Sequence, residues 1–78
     1  MKNRLILSTH ERKALLGEVW GYYGGKAATA RALKISPASI SQWIGRNSIP
    51  PRKGVIIERQ TGGKFKAVYM AAEVVGEG

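Results

Sequence analysis

Apolar residues along this chain fall mostly at helical spacing, separated by short polar or glycine-rich breaks. Leu15, Leu16, Val19, Trp20 and Tyr23 recur every three or four positions, the stripe of a helix that buries one face. Ahead of them, Ser8-Thr9-His10-Glu11 has the form of a capping box, in which the Ser8 side chain accepts from the Glu11 amide and Glu11 reaches back. Gly24-Gly25 supplies the left-handed residue that ends a helix, so the first helix runs from about Thr9 to Tyr23. A second, alanine-rich helix covers about Lys26 to Lys34, with Ala27, Ala28, Ala30 and Ala32 small enough to let another helix come close. Ser36-Pro37 pairs an N-cap with proline at the first helical position, opening a third helix from Pro37 to about Gly45. Ile40, Trp43 and Ile44 form its apolar side, which leaves Pro37, Ala38, Ser41 and Gln42 pointing outward.

Beyond this point the pattern has two solutions. Ile49-Pro50-Pro51 is an extended bend, because residues before proline avoid helical angles. Residues 51–61 then read as a fourth helix opened by Pro51 and closed by Gly62-Gly63, although Val55-Ile56-Ile57 also suits a strand. "FKAVYMAAEVV" is equally divided: Phe65, Val68, Tyr69 and Ala72 share a helix face, while Phe65, Ala67 and Tyr69 alternate. No internal repeat or linker appears. The expectation is one mainly α domain over residues 1–78, a lambda-repressor-like bundle of four to five helices; the alternative keeps three to four helices and adds a C-terminal β-hairpin.

Length and charge narrow the function. A 78-residue chain folds as a single domain and buries only about 60% of its unfolded surface, so its core is modest. With no cysteine there is no disulfide framework and no thiolate metal site. The apolar run near the start, Leu5-Ile6-Leu7, is too short for a signal peptide or a membrane span, which favours a soluble protein of the cytoplasm. Thirteen Lys and Arg face five Glu and no Asp, a net charge of +8. All thirteen lie at or before Lys66 against Glu11, Glu18 and Glu58, so that part carries 13 − 3 = +10. A basic body of this kind fits a polyanion, and nucleic acid before a membrane, because the cations are spread over several elements. One histidine, His10, without Cys or Asp leaves no nucleophilic or metal-binding constellation. The Gly-Gly-Lys pairs do not complete a P-loop: Trp20 and Glu58 stand where the first glycine belongs, Ala27 and Phe65 where Ser or Thr should follow. No enzyme, cofactor, metal or small-molecule substrate is expected.

A helix-turn-helix needs a small residue where its two helices meet, apolar residues around the turn and a second helix with a free outer face. Ala30 is the small contact, Ile35 sits in the turn, and Ile40 and Trp43 anchor the third helix from beneath. Gln42 is one of two side-chain types that pair bidentately with adenine, and its small neighbours allow deep entry into a groove. Gly25-Lys26, at the positive end of the second helix, suits a phosphate.

"YYGGKAATARALKISPASISQWI" followed by "IPPRKGVIIERQTGGKF" resembles the Cro-type repressors of lambdoid phages and their YdaS-like antitoxin relatives, over roughly residues 22–64. The resemblance implies a small, homodimeric transcriptional repressor that binds double-stranded operator DNA in a bacterial cell. Carried over by position, Pro37, Ala38, Ser41 and Gln42 read bases, with Ser39 and Gln42 also able to reach the backbone. Gly25, Lys26, Arg31, Lys34, Arg46, Asn47, Ser48, Arg52 and Lys53 are the further phosphate candidates. One position departs from the family: Lys34 stands where the turn usually has Gly, so a left-handed turn there carries strain of about 1 kcal/mol. Residues 64–78 are expected to be a dimerisation or tail segment, with Phe65, Val68, Tyr69, Ala72 and Val75 as the interface and Glu73 and Glu77 facing off the DNA. On that view, truncation after Gly63 abolishes operator binding while leaving the helix-turn-helix largely folded, and the operator is palindromic with half-sites about 34 Å apart. The alternative function is an antitoxin-type module that grips a partner protein with Phe65, Val68, Tyr69, Val74 and Val75.

Overall fold

Four successive helices stop in the same way, and that repeated stop shapes the molecule. In the computed structural model, which describes residues 7–72, the order is α1 Thr9–Tyr23, α2 Lys26–Leu33, α3 Pro37–Arg46, α4 Pro51–Gln60 and α5 Ala67–Met70. Left-handed residues Gly24, Lys34, Asn47 and Gly62 follow the first four. At each, the next amide reaches back across the last turn: Gly25 to the Trp20 carbonyl at 2.7 Å, Ile35 to Ala30 at 3.0 Å, Ser48 to Trp43 at 3.0 Å and Gly63 to Glu58 at 2.7 Å. These are Schellman closures, which satisfy the orphan carbonyls and turn the chain sharply. The starts are equally local. Ser8 and Glu11 form the complete capping box, Ser36 accepts from the Ser39 amide, and Pro37 and Pro51 occupy first-turn positions.

Lys34 holds φ 58° and ψ 47°, the left-handed conformation that the missing glycine would otherwise adopt freely. Lys34→Gly is therefore expected to stabilise the fold by about 1 kcal/mol. Asn47 has the same backbone conformation but uses its side chain, donating from Nδ2 to the Thr9 carbonyl at 3.0 Å. Asn47→Gly should lower stability by about 1 kcal/mol, the net worth of that bond. Thermal unfolding of the two variants reads the opposite signs directly.

The core gathers Leu16, Val19 and Trp20 of α1, Ala30 and Leu33 of α2, and Ile40 and Trp43 of α3. Ile49, Ile57, Phe65 and Met70 complete it from the C-terminal half. Among the described residues there is no strand, so the β-hairpin alternative does not hold. Pro51 and the Gly62 closure make residues 51–60 helical, and the β-branched run is absorbed with Ile57 inside and Val55 outside. Where α4 crosses α5, a Cβ on Gly54 would stand 3.2 Å from that of Ala67, so glycine allows the close approach. Gln60 joins three helices: it accepts from the Tyr23 hydroxyl at 2.7 Å and donates to the Ala32 carbonyl at 3.3 Å. Burial, with Tyr22 adding to it, raises the Tyr23 pKa, which keeps this phenol a donor.

Two expectations change here. Phe65 is 2% exposed, its ring edge-on to Tyr22 at 5.8 Å, so it fills the chain's own core instead of offering itself to a partner. Met70 is fully buried and its carbonyl accepts from the Ile49 amide at 2.8 Å. Truncation after Gly63 would remove both and open the core, so it is expected to destabilise the helix-turn-helix as well. Ile44, placed by its spacing on the apolar side of α3, is instead 40% exposed.

Candidate nucleic-acid interface

The outer face of α3 is built by what lies beneath it. Ile40 and Trp43 are 2% and 5% exposed, and they fix the rotation of the helix about its axis. Pro37, Ala38, Ser41 and Gln42 are then all exposed on the opposite side, near the helix start. Among the described residues no hydrogen bond or ion pair engages the side chains of Ser41 or Gln42. Ser39 lies at the edge, its hydroxyl 3.4 Å from that of Ser36 in the N-cap.

The backbone-binding candidates divide into three groups. Lys26, Arg31, Lys34, Arg46 and Arg52 are exposed and Lys53 is half-buried, their cations free to meet phosphates. The ion pair within the described residues, Lys66 to Glu58 at 3.9 Å, engages none of them. Gly25 is spent differently: its amide is in the closure of α1, so the donors at the start of α2 are those of the following residues. No side chain caps that end. Asn47 and Ser48 are engaged in the fold, Asn47 on Thr9 and Ser48 accepting from the Ala72 amide at 2.8 Å.

Two basic residues behave in ways that charge counting does not reveal. Arg12 is 7% exposed; its Nε donates to the Asn47 carbonyl and a terminal nitrogen donates to Leu7 at 3.1 Å. It ties the end of α3 to the first turns of α1, so it is a structural cation. Lys13, which the spacing of basic residues did not single out, borders a groove of about 440 Å³ between α1 and α3. Leu16, Gly17 and Trp20 of α1, Lys26 of α2, and Ile44 and Gly45 of α3 line the same groove. The signal for Lys13 was present: it is four residues before Gly17 and thirteen before Lys26, on the α1 edge that runs toward the start of α2.

Of the expected interface between copies, Val68 is 51% exposed, while Tyr69 and Ala72 are half-buried. Val75, and with it Val74, Glu73 and Glu77, lie outside the described residues. Exposed Val55 and Tyr22 add apolar surface on α4 and α1. Among the described residues no cluster of acidic or histidine side chains could hold a metal ion, and no helix is long and apolar enough to cross a membrane.

A family model described as DNA-binding transcriptional regulator Cro matches residues 17–75, well over half of the chain. The match runs from mid-α1 through α5, and so includes the whole helix-turn-helix. No curated protein and no solved structure matches the chain.

Proposed function

This chain belongs to the Cro family of DNA-binding transcriptional regulators, and from that membership we propose that it is a phage or prophage repressor that binds a palindromic operator as a homodimer. The observation that carries the reading is the outer face of α3, where Pro37, Ala38, Ser41 and Gln42 are exposed above a core-anchored Trp43. Such a helix enters the major groove with its N-terminal residues against base edges. Gln42 pairs with adenine N6 and N7, Ser41 contacts its neighbour, and Pro37 and Ala38 bring the backbone close. Lys26, Arg31, Lys34, Arg46, Arg52 and Lys53 hold phosphates and set the register, without reading sequence.

One recognition helix touches too few base pairs to discriminate against a genome, so a second copy on a two-fold axis supplies the other half-site. Val68, Tyr69 and Ala72 are the surface for that contact. The operator is then an inverted repeat bound in the cytoplasm of a bacterial host. Titration of a labelled operator, selected from random duplexes, should give two chains per duplex. Its affinity should exceed that for a scrambled duplex by roughly a thousandfold or more at physiological salt. Equal affinity for both duplexes would defeat the repressor reading.

Lys26→Ala separates holding from reading. It is expected to weaken the selected and the scrambled duplex by the same factor, because a phosphate contact carries no sequence information. Competition binding with the two duplexes measures this, and a loss confined to the selected sequence would move Lys26 to the base-reading set.

A further inference from the structure

Three glycines sit inside helices with no neighbour that requires them. A Cβ placed on Gly17, Gly21 or Gly45 would meet nothing within 4 Å, unlike one on Gly54, which would press on Ala67. Glycine in a helix interior is unfavourable relative to alanine, so internal packing gives no reason for these three. Gly17 and Gly45 stand on opposite walls of the groove between α1 and α3, while Gly21, one turn beyond Gly17, lies outside its lining. Lys13 and Lys26 border this groove from α1 and α2, and no acidic residue lines it. Its apolar lining comes from Leu16, Trp20 and Ile44.

We propose that this groove is a seat for one sugar–phosphate strand of the duplex, with a phosphate between Lys13 and Lys26 and the sugars against Ile44 and Trp20. The inference rests on the DNA-binding reading and adds to it a backbone site where α1 faces the C-terminal half of α3. Charge complementarity selects the occupant: two cations over an apolar floor match a polyanion with apolar sugar faces. Continuity with α3 places it, because Gly45 follows Ser41 by four residues and so shares the outer face of that helix. The absent side chains at Gly17 and Gly45 let the strand approach both helix backbones closely.

The test is a pair of opposite changes. Gly17→Ala should raise Tm by roughly 2–8 °C, since alanine is the better helix former and nothing obstructs its methyl group. The same variant should bind duplex DNA at least about tenfold more weakly, by an equal factor for selected and scrambled sequences, because a backbone contact is blind to base identity. Gly45→Ala should show the same gain in Tm and a loss of binding. Lys13→Gln should reduce the slope of log affinity against log salt by about 0.9, one phosphate's worth. Gly17 is the deciding position, because α1 carries none of the base-reading candidates. If wild type binds DNA and Gly17→Ala binds it equally well, the groove holds no strand and the proposal is overturned. A fall in Tm would overturn it too, by showing an internal need for the glycine. Failure of the wild-type chain to bind any duplex would overturn the DNA-binding reading itself, and this inference with it.

Discussion

Phe65→Ala is expected to unfold a large fraction of the molecules at physiological temperature. Phe65 is 2% exposed and reaches the core from the loop between α4 and α5, where its ring meets Tyr22 edge-on. Removing a buried phenyl ring costs about 3–5 kcal/mol in lost transfer energy and residual cavity. A domain of this length has only roughly 4–12 kcal/mol of stability in total. The effect should exceed that of any surface substitution, including all the cationic ones. Denaturant titration followed by far-ultraviolet circular dichroism measures it, and a shift of under about 1 kcal/mol would mean that the loop does not close the core. The same substitution separates the two roles considered for Phe65. A residue held in reserve for a partner would leave the free chain's stability almost unchanged.

The second large effect is on salt dependence. Lys26, Arg31, Lys34, Arg46 and Arg52 are exposed cations around α2 and α3, with Lys53 half-buried beside them. If five of these neutralise phosphates, log affinity falls with log salt at a slope near −4.5, about 0.9 per phosphate released from its counterions. Between 50 and 200 mM salt the affinity should therefore drop by roughly 500-fold. Arg12 should contribute nothing to this slope despite its charge, because its guanidinium is engaged by the Asn47 and Leu7 carbonyls. Fluorescence anisotropy across that salt range measures the slope, and a flat response would argue against a polyanionic partner altogether.

The helical starts and stops were legible in the chain because they are local. Ser8 with Glu11, Ser36 with Pro37, and the Gly24 and Gly62 closures each depend on residues within one turn of each other. Lys34 was legible as an anomaly, and its left-handed φ of 58° is the strained conformation its position demands. Where the chain returns on itself, sequence spacing carries less. Phe65 shares the pattern of an exposed apolar patch with Val68 and Tyr69 until α5 folds back on α1 and α4, and only then is it inside. Ile44 has the spacing of a core residue, yet it lies at the rim, since Ile40 and Trp43 already fill the space under α3.

Polar side chains were the hardest to assign. Asn47 and Ser48 follow α3 and have the look of phosphate ligands, and tertiary contacts with Thr9 and Ala72 engage them as well. Nothing in their neighbourhood along the chain signals those partners, 38 and 24 residues away. Lys13 shows the reverse: its place on α1 is helical and ordinary, and only the α1–α3 groove gives it company in Lys26 and Gly45.

The central claim is that α3 reads base pairs in duplex DNA, and sequence selection with two proteins tests it most directly. Wild type and Gln42→Ala are each taken through enrichment from random duplex DNA, and the recovered sequences are compared. The expected wild-type result is an inverted repeat with half-sites about one helical turn apart. Gln42→Ala should recover the same repeat with the preference for adenine lost at one position per half-site, a change of about 1–3 kcal/mol at that base pair. No enrichment by wild type, or an unchanged adenine in the Gln42→Ala pool, would contradict the account.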